Sequence, residues 1–159
     1  MSFPFFELTI DMLRTLFPLL LVGSLLAGCG EPEDTRPGQP VKTRQEAFKA
    51  ILRAYEPMTK MVKDDNIDPA KFAVLSATFM TKRDGPWSHF GPDTNYPPTK
   101  AKPKVWEKAV EFDQAKGEFM AATDAMHAAA QTGDKSKIVD AYGRVFQSCK
   151  ACHDSFRGS

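Results

Sequence analysis

The residues of this sequence best suited to chemistry are Cys149, Cys152 and His153, which form a Cys-x-x-Cys-His run close to the last residue. Two thiols at this spacing, followed directly by an imidazole, are the signature of covalent c-type haem attachment. In that chemistry the thiols add to the haem vinyl groups as thioethers and the imidazole binds the iron. The sequence therefore predicts one covalently bound haem, with His153 as the metal ligand.

A helical setting makes this arrangement workable, and the competing interpretations fit less well. On a helix the two cysteines are neighbours three residues apart, and His153 follows Cys149 by one turn. A thioredoxin-like redox pair needs a helix that begins at the first cysteine, whereas this run lies at the end of one. A zinc site needs four ligands, and neither His89 nor His127 has a ligand-like spacing. A disulfide at this spacing on a continuous helix would be strained.

Four segments with helical periodicity must position these residues. They span about 41–63, 69–82, 103–130 and 134–157. Thr43 with Glu46 predicts a capping box for the first segment, and Asp68 and Asp134 predict N-caps for the second and fourth. Pro57 predicts a kink in the first. The second and third segments are joined by an irregular stretch over 84–103. Four amphipathic helices without a strand signal predict an all-α fold, an antiparallel four-helix bundle.

The predicted buried faces follow steps of three and four residues. Their members are Arg44, Phe48, Ile51, Tyr55, Met58 and Val62; Phe72, Leu75 and Phe79; Val105, Ala109, Phe112, Phe119 and Met126; Ile138, Tyr142, Val145, Cys149, Cys152 and Phe156. Both thiols of the haem motif fall on the fourth face. A porphyrin could therefore lie between helices.

Composition excludes several classes of function. The 159 residues include 21 Lys and Arg and 20 Asp and Glu, and a near-neutral balance argues against a nucleic-acid-binding protein. Hydrophobic residues make up 42% and charged residues 26%, which indicates a globular chain. No nucleophile–base pair, carboxylate dyad or phosphate-binding glycine loop stands out. We therefore do not expect an enzyme.

The N-terminal segment predicts export and anchoring. An apolar run over 13–27 closes with Leu-Ala-Gly before Cys29, which resembles the lipobox of bacterial lipoproteins. The resemblance implies a signal peptide at 1–28, lipidation of Cys29 and a periplasmic, membrane-attached protein. The alternatives are an uncleaved anchor or an ordinary signal with a chance cysteine. Residues 29–40 are predicted to be a flexible tether, and residues 41–159 the haem domain.

Several motifs together resemble the cytochrome c prime family. Val-Lys-Thr-Arg-Gln at 41–45 resembles the opening of the family's first helix, and Pro-Trp-Ser-His-Phe-Gly-Pro at 86–92 resembles its loop between the second and third helices. Cys-Lys-Ala-Cys-His-Asp at 149–154, with Phe156 and Arg157 after it, resembles its close, although Tyr is common where Phe156 stands. The resemblance extends over about residues 41–157.

The resemblance assigns further roles near the iron. Phe48 stands four residues after Arg44, at the distal position where low-spin members carry a methionine ligand. Because Phe offers no lone pair, the resemblance implies five-coordinate, high-spin iron that binds nitric oxide, binds carbon monoxide more weakly and forms no stable oxygen complex. Met58 and Met61 are rival sulfur ligands, ten and thirteen residues further on.

Two arginines are predicted to lie beside the haem. Arg44 would pair with a haem propionate because an arginine on the buried seam needs an anion; a surface ion pair is the alternative. In the family nitric oxide can displace the histidine and bind on the proximal side. Arg157 follows His153 by four residues and is predicted to line that pocket; a solvated terminal residue is the alternative.

An electron-transfer cytochrome with redox partner proteins is the alternative function. Members of the family are often homodimers through their first two helices, and others are monomers. Both states stay open for this chain.

Overall fold

The structure is a computed structural model that describes residues 32–158. The predicted signal peptide at 1–28 and Cys29 lie outside the described residues. Five helices follow one another: α1 (Pro40–Lys63), α2 (Pro69–Met80), α3 (Lys104–Glu107), α4 (Ala109–Thr132) and α5 (Lys135–Phe156). A single 3-10 turn, Trp87–His89, interrupts the long connection between α2 and α3.

The four long helices form the predicted antiparallel four-helix bundle, in which α5 packs on α4, α4 on α2 and α2 on α1. Most of the predicted faces are buried, and the main core contains Ile51, Tyr55, Met58, Phe72, Phe79, Phe119, Met126, Ile138, Tyr142 and Val145. Ala109 is an exception, because it is exposed at the start of α4. In the described part of the chain, no helix has the length and apolar character needed to cross a membrane.

The predicted N-caps of α2 and α5 are confirmed. The Asp68 carboxylate accepts a hydrogen bond from the Lys71 amide at 3.1 Å. The Asp134 carboxylate accepts from the Ser136 and Lys137 amides at 3.0 and 3.2 Å. Each cap satisfies backbone donors that have no partner within the helix.

The predicted capping box at Thr43 is wrong, because α1 begins three residues earlier, at Pro40. Pro40 occupies the first turn, where a missing amide hydrogen costs nothing. The Asp34 carboxylate accepts from the next two amides, Val41 at 2.9 Å and Lys42 at 3.1 Å. An upstream side chain therefore caps the helix, and Thr43 lies inside it.

The folded domain also begins before the predicted boundary at residue 41. Asp34 is only 1% exposed. Its carboxylate also accepts a 2.9 Å hydrogen bond from the Tyr96 hydroxyl. The Arg36 guanidinium stacks on the Tyr96 ring at 3.8 Å and donates to the Asp93 carbonyl at 3.0 Å. The second half of the predicted tether is therefore bound to the 93–99 loop.

The third predicted helix is divided in two at Lys108, whose φ of −123° and ψ of 51° leave the helical region. The short helix before the break places Val105 in a second apolar cluster with Phe112 and Phe156. It also lets the Trp106 indole donate to the Gly91 carbonyl at 2.8 Å. An uninterrupted helix would carry these side chains in a different direction.

Two smaller differences concern helix ends and bends. The second helix ends at Met80, two residues before the predicted limit. Helix α1, for which the sequence predicts a kink at Pro57, continues through this proline to Lys63.

Candidate functional site

The last two turns of α5 carry the three residues of the haem motif, as the sequence predicts. Cys149 packs against the main core, whereas Cys152 packs against the second cluster of Val105, Phe112 and Phe156. The two half-buried thiols therefore face two adjacent apolar clusters. This placement suits a flat apolar ligand attached between them.

Both cysteines are free thiols in an apolar setting. Burial raises the pKa of Cys149 to about 11, with the neighbouring Cys152 adding to the effect. Burial also raises the pKa of Cys152. Redox-active Cys-x-x-Cys pairs have a depressed pKa at a helix N-terminus, and this pair lies at a helix C-terminus. The thioredoxin-like alternative is therefore unsupported.

His153 follows directly and is exposed, in contrast to the thiols. Desolvation against the protein lowers the pKa of its imidazole, and the positive charge of Arg157 lowers it further, while Asp154 opposes the shift. A lowered pKa favours the neutral ring at physiological pH. The neutral ring has the free nitrogen lone pair that binds a metal.

The segment after α5 is tied to the segment before α3. Arg157 caps the helix through its amide, which donates to the His153 carbonyl at 3.0 Å, and forms an antiparallel bridge with Ala101. The Lys102 amide donates to the Phe156 carbonyl at 2.8 Å, and the Gly158 amide donates to the Lys100 carbonyl at 2.7 Å. Arg157 is thus exposed beside His153, and its predicted role at the proximal face stays a prediction.

Phe48 lies half-buried on α1 and packs against the same core as Cys149. Its ring meets Trp87 edge-on at 5.6 Å and Phe90 at 6.3 Å. Trp87 is held in turn by its indole N–H, which donates to the Arg83 carbonyl at 2.7 Å. These two aromatic residues therefore anchor the loop, and they pack around the ring of Phe48.

Arg44 is 3% exposed and donates hydrogen bonds to the 89–99 loop. One terminal nitrogen donates to the His89 carbonyl at 3.0 Å and to the Thr94 hydroxyl at 2.9 Å. The other donates to the Thr94 carbonyl at 3.1 Å and to the Thr99 hydroxyl. Its guanidinium also lies 4.7 Å from the centre of the Phe90 ring.

Burial lowers the pKa of the Arg44 guanidinium, while Tyr96 and Asp34 raise it. Within residues 32–158, Arg44 makes no ion pair with a carboxylate, so the alternative of a surface ion pair is wrong. The pairing with a propionate stays a prediction. The structure adds that Arg44 joins the loop to α1.

Sequence reasoning missed the contributions of Asp34, Tyr96, Thr94 and Thr99. All four join the start of α1 to the 89–99 loop, beside Arg44. The segments that contain them have no helical or strand periodicity. The only signal in the sequence was Arg44 on the predicted buried face of α1, because a buried guanidinium needs hydrogen-bond acceptors and the loop could supply them.

The donor set fits a covalent haem better than the other cofactors considered. Two free thiols three residues apart lie against apolar side chains, and a neutral imidazole follows. In the described chain, no group of three or more His, Cys, Asp and Glu side chains could hold a metal ion. A zinc ion would lack ligands here, whereas haem brings four nitrogen ligands of its own.

Comparison with known proteins also indicates a protein with covalently bound haem. The family model described as Cytochrome C' matches residues 39–157. The cytochrome c' of Rubrivivax gelatinosus is 36% identical over 124 residues, which cover 77% of this chain and 96% of that protein. The protein from Alcaligenes xylosoxydans xylosoxydans is 35% identical over 123 residues, 77% of this chain and 95% of its own.

The solved structures with a similar fold belong to the same family as the relatives found by sequence. A nitric oxide complex of a variant cytochrome c prime from Alcaligenes xylosoxidans has a TM-score of 0.73 at 34% identity, covering 80% of this chain and 100% of that one. Cytochrome c' from Rubrivivax gelatinosus has a TM-score of 0.72 at 35% identity, covering 79% and 99%. Family match, relatives and fold coincide over the bundle that carries the haem motif, so this chain belongs to the cytochrome c' family.

Proposed function

We propose that this protein binds nitric oxide at a five-coordinate, high-spin haem iron, on the face covered by Phe48. Its role would be sequestration or detoxification of the gas. The observation that carries the proposal is the placement of Phe48 on α1, where it packs in the same core as the haem-attaching Cys149. A phenyl ring supplies no lone pair, so it leaves an iron position without a protein ligand.

Proteins of this family carry covalently bound haem c. We infer that Cys149, Cys152 and His153 would hold it in this chain. Each thiol would add across a vinyl double bond, sulfur to one carbon and hydrogen to the other, with nothing released. The neutral imidazole of His153 would donate its lone pair to the iron. When bound, the haem supplies an iron atom that takes small gaseous ligands.

The surroundings of Phe48 make the face beside it selective. The ring is held edge-on by Trp87 and Phe90, so it cannot swing away freely. None of these three rings offers a strong hydrogen-bond donor towards a bound gas. Stable oxygen binding benefits from such a donor, whereas ferrous iron binds nitric oxide without one. Crowding by the ring also explains why carbon monoxide should bind weakly.

Solved structures of relatives support nitric oxide and carbon monoxide as ligands of this chain. Nitric oxide complexes of variants, and a carbon monoxide complex of another variant, are known for the cytochrome c prime of Alcaligenes xylosoxidans. These are small uncharged gases that need no polar pocket. We extend them to this chain because its distal candidate is apolar and packed.

The test is the optical spectrum of the dithionite-reduced holoprotein, made in a host with haem-attachment machinery, before and after nitric oxide. We expect a broad, unsplit visible band that changes when the gas is added. A sharp, split low-spin spectrum that the gas does not change would contradict the proposal. It would indicate a sixth protein ligand, with sulfur from the buried Met58 or the partly buried Met61 as the first candidates.

The remaining expectations belong to the same proposal. The protein would lie in the periplasm, held to a membrane through lipidated Cys29, and would act by binding rather than as an enzyme. Electron transfer is the second candidate function, favoured by the excess of Lys and Arg in residues 100–111 and 149–158, around the haem motif. Homodimers and monomers are both compatible with this function.

A further inference from the structure

The formal charge of the folded domain is concentrated at the end that carries the haem motif. Residues 32–158 contain twenty Lys and Arg and seventeen Asp and Glu, an excess of three positive charges. Two segments, 100–111 and 149–158, contain six of these cations and three of the anions. The rest of the domain has fourteen of each. The whole excess therefore lies in these two segments, which we call the basic surface.

Hydrogen bonds hold the two segments of the basic surface together. The bridge between Ala101 and Arg157 and the two backbone bonds beside it fix residues 100–102 against the end of α5. The Lys102 ammonium donates to the Asp154 carbonyl at 2.8 Å. The Lys104 ammonium lies 5.2 Å from the centre of the Phe156 ring. The cations are thus attached to the same turns of α5 that carry Cys152 and His153.

Four of the six cations project into solvent, namely Lys100, Lys108, Lys150 and Arg157. Three carboxylates, Glu107, Glu111 and Asp154, are interspersed among them. Glu111 lies 3.1 Å from Lys104 and 3.9 Å from Lys108, and Lys150 pairs with Asp154, which leaves Lys100 and Arg157 without an ion pair on this surface. The surface therefore has a pattern of both signs with a positive excess. A partner protein with a complementary pattern can match such a surface, whereas a uniformly anionic membrane would meet the carboxylates as well.

We propose that the basic surface formed by residues 100–111 and 149–158 docks an acidic electron-transfer protein beside the covalent haem. In this step one electron passes from the reduced partner to the ferric haem. The partner is oxidised, the haem is reduced, and no atom or proton is transferred. The inference rests on haem attachment and not on nitric oxide binding, so the gas spectrum and the docking experiment can fail independently.

The test uses a reduced plant-type [2Fe–2S] ferredoxin, a strongly acidic electron donor, and the complete holoprotein in its ferric state. Stopped-flow absorbance follows haem reduction at ionic strengths of about 10 and 200 mM, which span strong and weak screening. We expect the second-order rate constant to fall at least about fivefold with added salt, within the range known for electrostatic steering. In the double variant Lys100→Glu/Lys108→Glu it should fall by a similar factor at low salt.

A matched control changes the same charge elsewhere. Lys135→Glu/Lys137→Glu alters two exposed lysines at the other end of α5. Lys135 is about 27 Å from His153 along the helix axis. Its rate constant should stay within about twofold of the wild type. The reduction potential of each protein is measured, so that a changed driving force is recognised. Equal loss in both double variants, or no dependence on salt, would overturn the proposal.

Cross-linking gives a readout that does not depend on electron transfer. A water-soluble carbodiimide joins a lysine amine to a partner carboxylate as an amide, with loss of water. With wild-type holoprotein and ferredoxin, the cross-linked peptides should map to residues 100–111 and 149–158. Cross-links confined to Lys135, Lys137 or other lysines outside the basic surface would show that the ferredoxin docks elsewhere and would refute the assignment.

Discussion

At the residue scale, the pKa shifts of the three haem-motif residues favour their neutral forms. Burial raises the pKa of the Cys149 and Cys152 thiols, and desolvation with the charge of Arg157 lowers the pKa of the His153 imidazole. Thiols in this state do not form thiolate ligands readily, and a neutral imidazole is ready to bind iron. The environment therefore favours thioether attachment and histidine ligation over a redox pair or a thiolate–metal site.

A prediction at this scale concerns Phe48. Phe48→Met places a thioether sulfur at the position proposed to face the iron, so the holoprotein should change from a high-spin to a low-spin spectrum and bind nitric oxide more slowly. Phe72→Met is the matched control, because Phe72 is fully buried on α2 and is replaced by the same side chain. Spectra of the reduced proteins check both. If Phe48→Met keeps the broad high-spin band, Phe48 does not face the iron.

A second residue-scale prediction concerns Asp34. Burial would raise the pKa of this carboxyl, but hydrogen bonds from Lys42, Tyr96, Arg36 and Val41 leave it lowered from 3.8. A lowered folded pKa means that the ionised group stabilises the fold above pH 3.8, and that this stability is lost as the pH falls through the folded value. Asp34→Asn should therefore lower the melting temperature by several degrees at pH 7.

The difference between Asp34→Asn and the wild type should shrink as the pH falls from 3.8 through the lower folded pKa, because the wild-type carboxyl is protonated first in the unfolded chain and then in the folded one. Thermal unfolding followed by circular dichroism at pH 7 and near pH 3 measures it. The exposed Asp93→Asn is the control and should melt like the wild type at both pH values. A difference that does not depend on pH would mean that the shape of Asp34, and not its charge, stabilises α1.

At the element scale, α1 and α5 are joined by a pair of tyrosines. The rings of Tyr55 and Tyr142 are stacked, with centroids 4.9 Å apart and planes at 5°. The Tyr55 hydroxyl donates to the Tyr142 carbonyl at 3.0 Å, and the Tyr142 hydroxyl donates to the Thr59 hydroxyl at 3.0 Å. This contact fixes the helix that carries Phe48 against the helix that carries the haem motif.

We predict that Tyr55→Phe lowers the free energy of unfolding by about 1 kcal/mol, because a buried hydrogen bond is lost while the stacked ring stays. Tyr142→Phe should have a smaller effect, since the hydroxyl of the half-buried Thr59 keeps its bond to the Tyr55 carbonyl at 3.2 Å. Urea unfolding of the holoproteins gives both values. The haem spectrum should be unchanged in each variant. A larger loss in Tyr142→Phe than in Tyr55→Phe would contradict this ranking.

The elements also show how far the sequence predicts the structure. The limits of α5 and its cap at Asp134 follow from local signals, because periodicity and capping are properties of neighbouring residues. The cap at Asp34 and the break at Lys108 depend on Tyr96, Gly91 and the second apolar cluster, which are distant in sequence. Such long-range contacts leave no local pattern. The haem motif was predictable because its three residues are adjacent on one helix.

At the scale of the whole molecule, one end of the bundle combines the proposed functions. The haem motif, the basic surface and the loop bound by Arg44 all involve the end of α5 or the connection before α4. The family match begins at residue 39, so the segment with Cys29 precedes the domain that this chain shares with its relatives. Attachment to a membrane would therefore add to the shared haem domain without altering its bundle.

The last prediction concerns that attachment. If Cys29 is lipidated, the mature protein should partition into the detergent phase of a Triton X-114 extraction, because several acyl chains contribute about 0.8 kcal/mol for each buried methylene. Cys29→Ser should move the protein to the aqueous phase with an unchanged haem spectrum. Mass spectrometry of the wild-type N-terminus should find Cys29 as the first residue, carrying acyl chains. Equal partitioning of both proteins would show that Cys29 is not the anchor.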